Sequence, residues 1–184
     1  MESFFHGKSS GFDPLVSFLK QPLLLRSDGV TELKSLPHSF STSDSGIFLL
    51  DTGQTGKTAP LVKFFLERYK AEGIITEEGN VLARLTDNLV NAFLNFSVPA
   101  FWDLMRTLSL RQLEQFSPMI PQNFTSLWLE GVESGLYYLK LCGSGGGGFL
   151  AGFAPDLKKA VVFLQDHDHL PAAVPDPMVI TTAF

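Results

Sequence analysis

An α+β fold, a small antiparallel sheet with helices packed on one face, is predicted by three observations. A buried-strand pattern at Gly46 to Leu50 is followed by several helical periodicities and only then by further strand patterns, so helices and strands are segregated along the chain. Five glycines fall within six residues, Gly143 and Gly145 to Gly148, between apolar segments, which reads as strand, loop, strand. Apolar residues make up 45% of the 184, with 17 Phe, enough to build a core largely from aromatic volume. The same composition excludes other classes. A formal net charge of −5 argues against a nucleic-acid partner, because phosphate backbones attract clustered Lys and Arg. No apolar run approaches a membrane span and no signal-peptide pattern opens the chain, so a cytoplasmic location is expected. Cys142 is the only cysteine, which excludes a disulfide framework and a multi-cysteine metal site.

Taken in order, Asp13 to Lys20 suits a short helix with Leu15, Val16, Phe18 and Leu19 partly buried. Leu23 to Leu25 and Val30 to Leu33 flank Asp28-Gly29, a dipeptide suited to the positive-φ positions of a hairpin turn. A strand pair whose sheet partners are absent leaves an apolar edge, which favours self-association. The polar, serine-rich stretch Pro37 to Ser45 lacks periodicity and marks a boundary between residues 1–40 and 41–184. Past it, Gly46 to Leu50 reads as a buried strand running into the polar loop Asp51 to Lys57. A helix starts near Thr58 with Leu61, Phe65 and Tyr69 on one face. The helix from Glu78 to about Phe96 is the clearest in the chain, with Leu82, Leu85, Leu89, Phe93 and Phe96 at spacings of three and four. A further helix follows Pro99. Ser109 and Gln112 then form a capping-box pattern for a separate short helix through Phe116. Asn123 or Thr125 caps the next helix and Gly135 ends it. Leu136 to Cys142, Phe149 to Phe153 and Ala160 to Gln165 are the closing strand candidates.

Several segments suit chemistry, and each also suits an ordinary structural role. In Glu2-Ser-Phe-Phe-His6-Gly-Lys-Ser-Ser10-Gly-Phe-Asp13, serine hydroxyls and backbone N–H groups suit an oxyanion and Asp13 suits a proton acceptor. Ser10 or Asp13 serves equally well as a helix cap. Asp51-Thr-Gly-Gln-Thr-Gly-Lys57-Thr58 ends like a phosphate loop, but Asp51 stands where that loop requires glycine, and a carboxylate there repels phosphate. Val161 to Asp166 makes only a weak companion strand for such a loop. Asp166-His167-Asp168-His169 lies in a polar segment just before Pro171, which favours an exposed turn over a metal site. Lys140 lies two residues before Cys142, either snorkelling at a sheet edge or directed at an anion near the loop. On glycine content alone, Gly143 to Gly148 is as compatible with a tight buried turn as with a ligand loop.

Three of these stretches, in order, resemble motifs of the mevalonate kinases within the GHMP family of small-molecule kinases. His6-Gly-Lys-Ser-Ser10-Gly-Phe-Asp13 resembles HGxPSGxD, which precedes the catalytic-aspartate helix, and Glu2 falls four residues before the histidine, at the magnesium-binding glutamate. Asp51 to Val62 is similar to the strand-to-helix loop whose threonine, here Thr58, lies near the active site. Lys140 to Gly148 matches K-[IL]-x-G-[AS]-G-G-G-G, the most specific of the three. Ser9 replaces the usual proline of the first motif, and Pro14 follows the aspartate where Asn or Thr is common.

The resemblance implies a ferredoxin-like C-terminal domain over residues 41–184 and a remnant of the N-terminal domain over residues 1–40. It implies phosphoryl transfer from ATP to the primary hydroxyl of mevalonate, in isoprenoid biosynthesis, with Asp13 and Thr58 catalytic. His6 and Ser10 would bind substrate, Gly143, Ser144, Gly145 and Gly146 would lie at the ATP phosphates, and Glu2 would bind Mg²⁺. The N-terminal lysine region and the PxxxGLGSSA phosphate loop do not occur in these 184 residues, so the polypeptide alone is expected to be inactive, its partner being the missing N-terminal portion. The alternatives are a non-catalytic α+β association or regulatory module, or another GHMP member such as a phosphomevalonate kinase or a mevalonate diphosphate decarboxylase.

Overall fold

A computed structural model describes residues 12–20, 23–25, 31–33, 44–55, 58–71 and 77–165. The chain divides into two compact units, Met1–Pro37 and His38–Phe184. In the first, helix α1 (Phe12–Leu19) precedes strands β1 (Leu23–Leu25) and β2 (Thr31–Leu33). The strands pair antiparallel with Leu23 opposite Leu33 and Leu25 opposite Thr31, the hairpin expected around Asp28-Gly29, although those two turn residues lie outside the described residues.

The second unit runs β3 (Gly46–Asp51), α2 (Thr58–Ala71), α3 (Glu77–Leu94), α4 (Val98–Gln115), α5 (Thr125–Ser134), β4 (Tyr138–Leu141), β5 (Phe149–Ala154) and α6 (Leu157–Gln165). Its sheet has the order β3-β5-β4, antiparallel throughout, so the architecture is α+β around a small three-stranded sheet. Period-two alternation decides which side chains are buried. Phe48 and Leu139 flank Gly152 in register, Leu50 and Leu141 flank Leu150, and all six are buried. Gly152 is required there because any side chain would collide with the Phe48 ring. Burial of each large apolar side chain contributes about 1.5–3 kcal/mol.

Aromatic packing then ties the helices to the sheet. Tyr137 meets Phe48 edge-on at 6.0 Å between centroids and Phe163 of α6 at 6.0 Å. From α4, Phe101 meets Phe153 and Trp102 meets Tyr138. The edge strand β4 is covered as well: the Leu141 N–H donates to Gln112 Oε1 of α4 at 2.9 Å, which occupies a donor that another chain would otherwise pair with.

Three expectations are corrected by this arrangement. The helix after Pro99 does not stop for a second one at Ser109, because α4 is continuous from Val98 to Gln115. Ser109 is fully buried in its middle, and its hydroxyl accepts the indole N–H of Trp128 at 2.8 Å instead of capping a helix. Ala160 to Gln165 is helix, not strand. The Asp156 carboxylate accepts the Lys159 N–H at 3.0 Å at the start of α6, and the fully buried Ala160 and Leu164 lie four apart, a helical spacing. The run Val161-Val162-Phe163 reads as a strand locally, yet Val162 is 57% exposed. Thirdly, α5 has no side-chain cap: a 3₁₀ turn, Gln122–Phe124, leads into it, and Asn123 instead accepts a hydrogen bond from Gln54 Nε2 at 3.1 Å. Gly135 ends α5 as expected, with φ +70°. The helix predicted through Phe96 ends at Leu94, and Phe96 takes a left-handed conformation, φ +56°. Among the described residues, no helix is long and apolar enough to cross a membrane.

Candidate functional site

The oligoglycine segment joins β4 to β5, and its conformation is one that side chains resist. Gly143, Gly145, Gly146 and Gly148 have φ of +58°, +67°, +75° and +69°. Two of them also have no room. A Cβ on Gly145 would run into the Met119 carbonyl oxygen, and one on Gly146 into the Leu61 side chain of α2.

The loop is held at its C-terminal end and at its crest by hydrogen bonds, most of them between backbone groups. At its C-terminal end, the Gly148 carbonyl accepts both the Thr52 N–H and the Thr52 hydroxyl, each at 2.8 Å. The Gly148 N–H donates to the Gln54 carbonyl at 2.8 Å. At its crest, the Gly146 N–H donates to the Met119 carbonyl and the Gly145 N–H to the Cys142 carbonyl at 3.3 Å. The glycine loop and the loop after β3 are thus one hydrogen-bonded assembly. Within the latter, Asp51 Oδ1 accepts the Gly53 N–H at 2.9 Å, an Asx turn that explains an aspartate at this position. The N–H groups of Gly143, Ser144 and Gly147 meet no acceptor among the described residues.

A cavity of about 480 Å³ opens beside Gly143 and Ser144. Val62 and Phe65 of α2, Phe116, Met119 and Leu141 give it apolar walls, while Gln112, Lys140 and Ser144 carry its polar groups. Lys140 Nζ donates to the Leu141 carbonyl at 3.0 Å. Its cation therefore lies at this rim, which bears on the choice between the two roles expected for it. Deeper in the unit, burial, and to a lesser extent the Glu130 carboxylate, hold the Tyr137 hydroxyl well above the ordinary tyrosine range. That hydroxyl donates to the Leu127 carbonyl at 2.7 Å.

Of the residues expected to form the site, Gly143, Ser144, Gly145 and Gly146 lie together in this loop. Thr58 is the first residue of α2, and Asp13 the second of α1; their side chains lie outside the described residues. Glu2, His6 and Ser10 lie outside them altogether. Among the described residues, no group of three or more His, Cys, Asp or Glu is placed to hold a metal ion. Sequence reasoning missed Thr52, Gln54, Met119 and Gln112 as supports of the loop and its cavity. For Met119 and Gln54 no sequence signal exists, since both act through main-chain carbonyls.

No family model matches this sequence, and no curated protein matches it. Among solved structures, the chain is similar to the crystal structure of L. major mevalonate kinase in complex with R-mevalonate. The TM-score is 0.67 with 18% sequence identity, over 100% of this chain and 56% of that one. The chain thus has a GHMP-kinase-like fold and spans little more than half the length of that kinase.

Proposed function

We propose that this chain is the C-terminal portion of an ATP-dependent kinase of the GHMP type, acting on the primary hydroxyl of a mevalonate-like alcohol in the cytoplasm. The oligoglycine loop carries this reading. Its left-handed backbone is fixed by Met119, Thr52 and Gln54 rather than by side chains of its own, as suits a segment that must keep its shape against a neighbouring phosphate loop. The similarity of the fold to a mevalonate kinase supports it independently.

The donors present fit an anionic phosphate at one end of the loop. Gly145 and Gly146 have spent their N–H groups inside the protein and act as supports, which leaves Gly143 and Ser144 to offer N–H groups and a hydroxyl. In this reading Asp13 orients or accepts the proton of the attacking hydroxyl, with Thr58 beside the reacting groups and His6 and Ser10 on the alcohol. Glu2 would hold Mg²⁺, which when bound neutralises charge between the β- and γ-phosphates. Residues 1–40 would then belong to the N-terminal domain and residues 41–184 form the C-terminal domain.

The test is ADP release dependent on both ATP and mevalonate, from a polypeptide that joins these residues to a PxxxGLGSSA-bearing segment. Asp13→Asn is expected to lower kcat about 10²–10⁴-fold with a smaller change in KM. A kcat near wild type would remove Asp13 from its role, and no mevalonate-dependent ADP from the parent would sink the kinase assignment.

A further inference from the structure

We propose that Thr52 is a positioning residue for phosphoryl transfer: its hydroxyl fixes Gly148, where the glycine loop rejoins the sheet, against the chain that leads from β3 to Thr58. This deepens the kinase reading and rests on it, since that reading sets the glycine loop and Thr58 beside the reacting groups.

The β3–β5 ladder is regular through Asp51 opposite Phe149 and departs from the pattern one step later. In a hydrogen-bonded antiparallel pair the two facing residues exchange both main-chain bonds. Here the Gly148 carbonyl accepts the Thr52 N–H at 2.8 Å, but the Gly148 N–H donates to the Gln54 carbonyl, two residues further on, at 2.8 Å. Residues 52–54 thus grip Gly148 from both sides. Gly53 lies between them with φ +63°, a turn that the Asp51 carboxylate holds by accepting the Gly53 N–H at 2.9 Å. The Gln54 side chain, donating to Asn123 Oδ1 at 3.1 Å, ties the same turn to the segment before α5.

The Thr52 hydroxyl stands at the centre of this grip and is buried, with the residue 2% exposed. It donates to the Gly148 carbonyl at 2.8 Å and accepts the Gln54 N–H at 3.4 Å. The carbonyl it bonds already has the Thr52 N–H as a partner, so replacing the hydroxyl by a methyl group strands no carbonyl. What the hydroxyl adds is direction. A second donor on one oxygen fixes the orientation of the peptide at a glycine, which has no Cβ to restrict it. Thr58 follows Gln54 by four residues, so one point sets both the end of the glycine loop and the departure of the chain toward α2. Phosphoryl transfer depends on such placement, and a shift of about 1 Å in a reacting group costs about 10²-fold in rate.

Two measurements test this. In the full chain, the Gly148 amide should exchange with solvent at least about tenfold faster in Thr52→Val than in the parent, while α4 amides keep their protection. Thr52→Ser, which retains the hydroxyl, should restore the slow exchange. In the ADP-release assay of the joined polypeptide, Thr52→Val should lower kcat at least about tenfold, with less than about a twofold change in the KM for mevalonate. Thr52→Ser should return most of that kcat. Unchanged Gly148 exchange, or no rescue by serine, would overturn the proposal. Loss of α4 protection in Thr52→Val would overturn it as well, by showing that the hydroxyl serves the fold as a whole. A parent that turns over mevalonate, with Thr52→Val at the same kcat, removes the positioning role and leaves the kinase reading intact. No mevalonate-dependent ADP from the parent removes both.

Discussion

The glycines of the β4–β5 loop share one sign of φ but differ in what surrounds them, and that difference ranks their replacement by alanine. At Gly145 a methyl group meets the Met119 carbonyl, part of a backbone that cannot swing away. At Gly146 it meets the end of the Leu61 side chain, which can rotate, and at Gly148 nothing lies within 4 Å. Gly148→Ala should therefore cost only the left-handed backbone, about 1–2 kcal/mol. Gly146→Ala should cost more and Gly145→Ala most, by urea unfolding; equal losses at all three would rule out the steric account. Tyr137 makes a second residue-scale prediction. Because burial raises its pKa above 10.0, above that pH the folded state retains a proton that the unfolded state loses. Stability is thus fully present below pH 10.0 and falls as pH rises further. Tyr137→Phe should flatten part of that fall, leaving the contribution of Tyr138, whose hydroxyl burial also raises. At neutral pH the same variant should lose about 0.5–1.5 kcal/mol for the bond to the Leu127 carbonyl.

At the scale of elements, α4 does two jobs that local sequence does not announce. Ser109 and Gln112 look like a helix start because serine and glutamine three apart satisfy exposed N–H groups, yet both side chains are taken by partners distant in sequence, Trp128 and Leu141. Gln112→Leu should cost about 1–3 kcal/mol by stranding the Leu141 N–H. Gln112→Glu keeps an acceptor and should cost less, and equal losses in chemical denaturation would show that this bond is not what matters. The same contrast between local and distant partners explains what could be read in advance. Strands β3, β4 and β5, helices α2 and α3 and the Gly135 stop were legible, because periodicity and glycine placement are local properties. Helix α6 was not: Val161 and Val162 favour a strand locally, whereas the buried positions four apart and the Asp156 cap declare a helix only once the sheet is present. In the candidate site the glycine loop was legible from composition. Its anchors at Met119 and Gln54 were not, since a main-chain carbonyl belongs to every residue alike.

For the molecule as a whole, the division at Pro37 and His38 makes a separable prediction. The three-stranded sheet, its aromatic contacts and the glycine loop all draw on residues beyond that point. Residues 38–184 expressed alone should therefore give a single cooperative thermal transition and the near-ultraviolet signal of the buried Trp128. A broad, non-cooperative melt would show that the second unit depends on the first.

The sheet order β3-β5-β4 also has a consequence for how the nascent chain matures. Thr52 and Gly148, which close the end of the β3–β5 pair, are 96 residues apart. At roughly 5–20 residues per second, the ribosome leaves the first sheet strand waiting on the order of 5–20 s for its neighbour to emerge. During that interval Phe48 and Leu50 have no native strand to pair with, and a chaperone that shields apolar extended segments would act on this stretch before any other part of the sheet exists.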